Sequence, residues 1–280
     1  MLLIRFLKLL MKYLNILCLF LLLMISQSVI AQTVDKINHY FSKIASAPGD
    51  EEKLVYSDSL TISIISYLES TEDIIRADLS DLKYLGNITS PDSLIKILSW
   101  NIPITGRNNI YYSYIYNSIH DKGILLRGEE GLSDIEPDVV IESKDWYGSL
   151  YYDIQTLDKT DEMTYILLGF DPDNIYMNAK VIEVLHFNDH GDPVFGKQVF
   201  STGNEEFTRM IFKYSPMATM MLKFNPERNM IIFDHLSPSS PRLEGQYRYY
   251  GPDFSYDAYE IKDGRLFLIQ DIDLKATEDF

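Results

Sequence analysis

From residue 87 onward the chain is a series of short apolar segments separated by frequent turn residues. Segments such as 180–187 and 207–214 are rich in the β-branched and aromatic residues that suit a pleated, half-buried strand. The link 188–192 contains the glycine that a hairpin turn needs for a positive φ. About a dozen such strands, 246–250 among them, predict a mainly antiparallel β domain over residues 87–280, closed as a barrel or folded as a sandwich. A small propeller is a further alternative, although the sequence has no blade-length repeat.

Residues 32–86 follow a helical period instead. Ile37, Phe41 and Ile44 recur every three or four positions, until a Pro-Gly pair breaks the run. Three acidic residues then favour the start of a second helix, and a weaker third helix is expected over 72–85. The sequence therefore predicts an α+β fold in which short N-terminal helices pack on a large, mainly antiparallel β domain.

Residues 1–31 have the layout of a secretory signal peptide. Three basic residues lie within the first twelve positions, an almost uninterrupted apolar run covers 13–25, and small or polar residues follow. We expect cleavage after Ala31, which would place the protein in the periplasm or outside the cell. The alternative is an uncleaved anchor, because 2–25 approaches the roughly 20 residues that span a bilayer, although three cations in its first half argue against it.

Net charge and cysteine content limit the possible partners. The only cysteine, Cys18, lies in the predicted signal peptide, so the mature chain would contain no disulfide. Loss of residues 1–31 removes three basic and no acidic residues, and the formal charge falls from −16 to −19. This charge argues against nucleic acid and against an anionic membrane surface as partners, because both are bound by clustered Lys and Arg.

Familiar catalytic motifs are absent from the sequence. It contains no His-Glu-x-x-His, no Gly-x-Ser-x-Gly, no Gly-x-Gly-x-x-Gly and no phosphate-binding Gly-Lys-Ser/Thr loop. Without a mature cysteine, thiol nucleophiles and Cys-ligated metal centres are also excluded. An activity, if the chain has one, must depend on residues that no linear motif brings together.

Three stretches contain groups that could bind a cation. His186 and His190 flank a predicted hairpin turn and, with Asp192, could offer three ligands to zinc. The sequences Asp-Pro-Asp-Asn at 171–174 and Asp-Ile-Asp at 271–273 supply oxygen donors for calcium. Neither carries the glycine and the distal carboxylate that calcium loops have at fixed positions. We therefore assign no metal and no cofactor from the sequence.

Residues 129–145 interrupt the strand pattern with a run of negative charge. Seven acidic residues face a single basic one, Lys144, and Pro137 lies within the run. This composition predicts a long solvated loop over the sheet.

The segment 233–259 combines five tyrosines with Asp, Gln and Arg. Tyrosine rings offer flat apolar area and the polar groups can orient a ligand, as in a groove for a carbohydrate or a peptide. One acid directly precedes a histidine here, where a carboxylate could orient the imidazole for general-base work. The candidate ligand-binding residues are Asp234, His235, Tyr247, Tyr249, Tyr250, Asp253, Tyr256 and Asp257.

Several motifs of the β domain resemble those of a known protein family. They are Phe-Asp-His-Leu-x-Pro at 233–238, Gly-Gln-Tyr-x-Tyr-Tyr-Gly-Pro-Asp-Phe-Ser-Tyr-Asp at 245–257, and shorter matches at 146–152, 167–171 and 193–196. Over about residues 30–273 the chain resembles a family of exported proteins from Bacteroidetes-type bacteria. The resemblance implies a periplasmic or secreted bacterial protein with a cleaved signal peptide, and it implies no activity and no site residue.

Two function classes remain open. The first is a non-catalytic binding or interaction module of the cell envelope, whose Tyr-rich surface meets a glycan or a protein. The alternative is a glycosidase-like hydrolase, which needs two carboxyl groups about 5 to 9.5 Å apart. A pocket holding an acid of raised pKa would favour the hydrolase, and an open solvated surface would favour the binding module. The candidate acids are Asp234, Glu244, Asp253 and Asp257.

Overall fold

The computed structural model describes most of the chain beyond the predicted signal peptide. The described residues are 11–14, 32–77, 79–105, 109–132, 135–174, 176–201 and 207–274. The predicted signal peptide otherwise lies outside them. Within the described part, no helix is long and apolar enough to cross a membrane. The chain divides into two units, Met1–Asp73 with Ala77–Tyr84 and Ile74–Arg76 with Leu85–Phe280.

Apart from a short helical stretch at 11–14, the described part of the first unit contains two consecutive helices. Helix α1 covers residues 32–46, and α2, Asp50–Glu69, begins directly after the predicted Pro-Gly break with three acids in its first turn. Residues 79–84 return to α1, where Asn38 Nδ2 donates to the carbonyl oxygen of Asp81 at 3.0 Å. The apolar stripe of α1, with Ile37 at its centre, is buried as its helical period predicts.

The third predicted helix, 72–85, is wrong. Its described residues form turns, and the amide of Leu82 donates to the carbonyl of Leu79 at 3.0 Å, three residues away. Leu79, Leu82 and Leu85 are all buried. Their spacing of three resembles a helical period but arises here from successive turns.

The second unit is built from strands. In chain order these are β1 Gly86–Thr89, β2 Ile95–Ile102, β3 Ile110–Asn117, β4 Lys122–Gly128, β5 Ile141–Glu142, β6 Leu150–Thr156, β7 Thr164–Asn174, β8 Met177–Phe187, β9 Pro193–Phe195, β10 Phe200–Ser201, β11 Arg209–Tyr214, β12 Leu222–Asn225, β13 Met230–Pro238, β14 Tyr250–Lys262 and β15 Arg265–Ile269.

These strands form three open sheets. The first has the order β1-β2-β3-β4, the second β5-β9-β8-β7-β6 with β11 beside β8, and the third β10-β15-β14-β13-β12. Among the described strands, β10 and β15 pair in parallel and the other pairs are antiparallel. The predicted α+β class with a mainly antiparallel β domain is confirmed, and the domain is a sandwich of sheets.

The second sheet lies between the other two. Side chains of β7 and β8 alternate, so that Tyr165 and Val181 enter one core with residues of β2 and β3 such as Ile97. Ile166 and Ile182 enter a second core with residues of β13, β14 and β15. Because both faces of β7 and β8 are covered, these strands are continuously apolar rather than alternating.

The acidic segment 129–145 is only partly the solvated loop that its composition predicts. Leu132 and Ile141 are buried in the first core, and Ile141 begins the short strand β5. The carbonyl oxygens of Glu136 and Val139 accept hydrogen bonds from the buried guanidinium of Arg209 at 3.0 and 2.6 Å. The acidic side chains among the described residues of this segment face solvent, while the backbone is fixed to the sheet by apolar and polar contacts.

Candidate functional site

The connection between β13 and β14 carries most of the predicted ligand-binding tyrosines, and we call residues 239–250 the tyrosine loop. It contains two 3-10 turns, Pro241–Leu243 and Tyr247–Tyr249, so the strand predicted at 246–250 is wrong. Pro241 begins the first turn with its fixed φ, and Gly245, at φ 77°, allows the chain to reverse before the second. A tyrosine-rich composition favours a strand. In this stretch, however, backbone amides donate to carbonyl groups within the loop rather than to a neighbouring strand.

The loop exposes two tyrosine rings. The exposed fractions are 44% for Tyr247 and 36% for Tyr249. The guanidinium carbon of Arg248 lies 4.6 Å from the ring centroid of Tyr249, and Lys213 Nζ lies 5.8 Å from that of Tyr247. The ring of Tyr250 packs against that of Tyr247 in a tilted arrangement, with centroids 5.1 Å apart. Flat rings are thus combined with cations at the surface of an acidic protein.

Three open depressions adjoin the tyrosine loop. The first, of about 460 Å³, lies between Tyr247 and Met210 of β11. The second, of about 310 Å³, is lined by Tyr249 and Asp253 among others. The third, of about 500 Å³, is lined by Tyr247 and Arg248. The tyrosine loop therefore borders every one of these surfaces.

Tyr250 and Tyr256 have structural surroundings. The hydroxyl of Tyr250 accepts a hydrogen bond from the amide of Gly245 at 2.9 Å, and its ring packs against the second core. Tyr256 is half-buried and pairs with Asp234 across the β13–β14 ladder. These two tyrosines mainly stabilise the loop and the β13–β14 ladder, and their rings are less exposed to solvent than those of Tyr247 and Tyr249.

Asp234 does not orient His235, as the adjacent pair in the sequence suggested. The carboxylate of Asp234 accepts a hydrogen bond from the amide of Met221 at 2.6 Å, and the amide of Asp234 donates to the Met221 carbonyl at 3.1 Å. Consecutive residues of a strand point to opposite faces, so the two side chains diverge. Asp234 therefore anchors the residues before β12.

His235 is oriented by Asp257 instead. Its Nδ1 lies 2.7 Å from Oδ2 of Asp257, and Oδ1 of the same carboxylate accepts from the amide of Asp271 at 3.0 Å. The imidazole side chain is 40% exposed and the carboxylate 7%. This is a buried acid holding a half-exposed histidine, an arrangement that fixes the ring and favours its protonated form.

A β-bulge creates this contact. In the ladder Asp234 pairs with Tyr256 and Leu236 with Pro252, so residues 253–255 of β14 face the single residue His235. Asp253 fixes the bulge, because Oδ1 accepts from the amide and hydroxyl of Ser255 at 3.1 and 2.7 Å. Its Oδ2 accepts from the hydroxyl of Ser237 at 2.7 Å.

The bulge shifts the pKa of two groups in opposite directions. The hydrogen bond to Asp257 raises the pKa of His235 above its ordinary value, against the effect of burial. The hydrogen bonds from Ser255 and Ser237 lower the pKa of Asp253. Asp253 is therefore a carboxylate at neutral pH, and its oxygen atoms are occupied as acceptors.

The stabilisation from His235 should depend on pH. Since its folded pKa is raised, this contribution is fully present below the unfolded pKa of about 6.5 and is lost as the pH rises through the folded value. The change His235→Gln should therefore cost more stability at about pH 5.5 than at about pH 8.5, by up to about 1 kcal/mol for this partly exposed pair. Urea unfolding at both values measures the difference. Equal losses at both pH values would contradict the prediction.

One acid from the zinc stretch and one from the first calcium stretch have other partners. Asp192 accepts a hydrogen bond from Lys122 Nζ at 2.7 Å, which lowers its pKa. The buried Asp171 accepts from the Tyr111 hydroxyl and, at 2.7 Å, from the amide of Leu132. Across the described residues, no group of three or more His, Cys, Asp or Glu is placed to hold a metal ion.

The structure also contains a buried polar cluster that the sequence did not predict. Glu183 and Arg209 are opposite each other on β8 and β11, both fully buried, with Oε2 and Nε 2.8 Å apart. The hydroxyl of Tyr147 donates to the same Oε2 at 2.6 Å. Burial acts to lower the pKa of Arg209, but the interactions with Glu183, Tyr147 and Tyr151 together raise it above its ordinary value. A lone acid within the apolar run of β8 is the signal that could have revealed this pair.

The eight predicted site residues lie in two neighbouring places. Tyr247, Tyr249, Tyr250 and Asp253 line the depressions beside the tyrosine loop, and the remaining four lie on the β13–β14 ladder. Comparison of the chain with family models, curated proteins and solved structures found no match. A function can therefore be proposed only from the residues of the site.

Proposed function

We propose that this chain is an exported, non-catalytic binding module, periplasmic or secreted, that binds a glycan at the tyrosine loop. The observation that carries the proposal is the pair of exposed rings, Tyr247 and Tyr249, beside three open depressions. Export follows from the predicted signal peptide and from the family resemblance, and both remain proposals.

The chemistry of the loop suits a sugar. The apolar face of a pyranose ring can stack on a tyrosine ring, and its hydroxyl groups need donors and acceptors at the rim. Gln246 and Arg248 line the depression beside Tyr247 and supply such groups. The rings lose little entropy on binding, because 3-10 turns and the Tyr250–Gly245 hydrogen bond already fix the loop.

The surroundings of the acids favour binding over glycoside hydrolysis. Asp234 and Asp257 are buried and accept hydrogen bonds from backbone amides. Asp253 has a lowered pKa, whereas a general acid needs a raised one. Glu244 is exposed on the loop. A carboxylate hydrolase would therefore need an acid–base pair that these four residues do not offer in their present contacts.

Removal of an exposed ring should weaken glycan binding while leaving the fold intact. For Tyr247→Ala we expect an affinity loss of about tenfold or more, because a ring that carries an interface typically contributes over 1 kcal/mol. The first step is a thermal-shift screen of the purified protein against neutral and acidic oligosaccharides, since a ligand of the folded state raises the midpoint. Calorimetry then measures the variants with the glycan identified.

Phe267→Ala is the matched control, because Phe267 is exposed to 38%, close to the value for Tyr249, on β15. It should bind as the wild type does. Absence of a shift with every oligosaccharide, or equal affinity for wild type and Tyr247→Ala, would overturn the proposal. Release of shorter sugars during the titration would instead support the hydrolase.

A further inference from the structure

Phe254 is the most exposed large apolar side chain of the described β domain, at 94%. Single exposed apolar residues are common and need no explanation. This one differs in its backbone, because Phe254 adopts a φ of 72°, in the left-handed region. Bulky side chains rarely occupy that region, since Cβ then approaches the backbone, and glycine would fill the position without strain.

The surrounding residues keep the strained backbone in place. Phe254 is the middle residue of the bulge 253–255 opposite His235. The carboxylate of Asp253 spans the residue by accepting two hydrogen bonds from Ser255, and a third comes from Ser237. The side chains of Asp253, Ser255 and Ser237 thus stabilise a backbone conformation that leaves the phenyl ring of Phe254 exposed to solvent. Backbone strain of this kind is found where a binding or catalytic role requires it.

The charges near the ring of Phe254 indicate which kind of partner surface it can bind. Of the acids on strand β14, Asp253 is exposed and Glu260 is partly exposed, whereas Asp257 is buried, and the strand has no basic residue before Lys262. Asp271 lies beside Asp257, to which its amide donates. A cationic rim would therefore complement this surface, and an anionic membrane would be repelled.

We propose that Phe254 is an anchor that inserts into an apolar pocket of a partner protein whose rim carries Lys or Arg. An aromatic side chain entering a pocket, surrounded by weaker polar contacts, is the usual composition of a tight contact between proteins. The ring is already held in place before binding, which reduces the ordering cost. Phe254 itself lines none of the three depressions, although its neighbour Asp253 lines the second, so the anchor surface adjoins the glycan site.

The test begins with a photoreactive benzoylphenylalanine at position 254, in cells that naturally make the protein. The same residue at position 217 is the control, because Met217 is exposed to 93% without strain at its backbone. The proposal expects a discrete cross-linked product from position 254 alone. The captured protein is then purified, and its affinity for the wild type and for Phe254→Ala is compared at low and high salt.

The supporting result is an affinity loss of about tenfold or more in Phe254→Ala, with weaker binding at high salt. No cross-link specific to position 254, or an unchanged affinity in the variant, would overturn the proposal. Retention of the protein by zwitterionic lipid vesicles in a Phe254-dependent manner would also overturn it, in favour of a membrane surface.

Two controls test whether Phe254 has a structural role instead and whether it contributes to glycan binding. Phe254→Gly should leave the unfolding midpoint unchanged or raise it, because glycine adopts positive φ freely. A lowered midpoint would mean that the ring packs against the protein, and the anchor would be rejected. Phe254→Ala should bind glycan as the wild type does, so the anchor and the proposed function can fail independently.

Discussion

Replacement of Glu183 with alanine is expected to lower the free energy of unfolding by about 3–5 kcal/mol. The side chains of Glu183 and Arg209 are both fully buried, 2.8 Å apart. The variant would leave the guanidinium in the core with only backbone carbonyl groups as partners. The hydroxyl of Tyr147 would also lose the carboxylate that it bonds at 2.6 Å. An uncompensated buried charge costs far more than the pair contributes when both members are present.

Urea unfolding of the wild type and the variant measures this loss. Glu162→Ala is the control, because it removes the exposed partner of Lys197 at 2.8 Å and should cost less than about 1 kcal/mol. A similarly small loss for Glu183→Ala would contradict the prediction. Replacement of both Glu183 and Arg209 by methionine should recover much of the stability, since no charge then remains in the core.

Replacement of Asp171 with alanine is expected to cost about 2–5 kcal/mol. The buried carboxylate joins the first and second sheets, because it accepts from the hydroxyl of Tyr111 on β3 and from the amide of Leu132. Each buried donor left without its acceptor costs about 1–3 kcal/mol. Asp263→Ala, which breaks an exposed pair with Lys159, should change stability by less than about 1 kcal/mol.

Calcium provides a second readout for Asp171. If the carboxylate acts through these two hydrogen bonds, EDTA should leave the unfolding midpoint of the wild type unchanged. A midpoint that falls with EDTA and recovers with calcium would show that the Asp-Pro-Asp-Asn sequence binds the ion after all.

The sequence predicted those elements whose signal is local. Helix α2 begins where acidic residues follow Pro48 and Gly49, and β8 was recognisable because both of its faces are apolar. Strands of two or three residues, such as β5 and β10, are too short to show any period. They exist because neighbouring strands supply their hydrogen bonds, and that information lies elsewhere in the chain.

The contacts of the candidate site were less predictable. His235 and Asp257 are 22 positions apart, and they meet because of a bulge that places three residues of β14 opposite one of β13. The sequence instead drew attention to Asp234, which is adjacent in the chain but points to the other face of the strand. The exposure of the tyrosine loop could be suggested from Pro241 and Gly245, whereas its 3-10 turns could not.

The position of the second sheet between two cores has a consequence for how the chain matures. The hairpin of β7 and β8 supplies side chains to both cores, so neither can be completed before residue 187 is available. During synthesis from the N terminus, strands β1 to β4 are therefore made before β7 and β8. Until those two strands follow, one apolar face of the first sheet is exposed to solvent. During that interval the nascent protein is open to aggregation, and a chaperone that shields this sheet would act most usefully just before β8 appears.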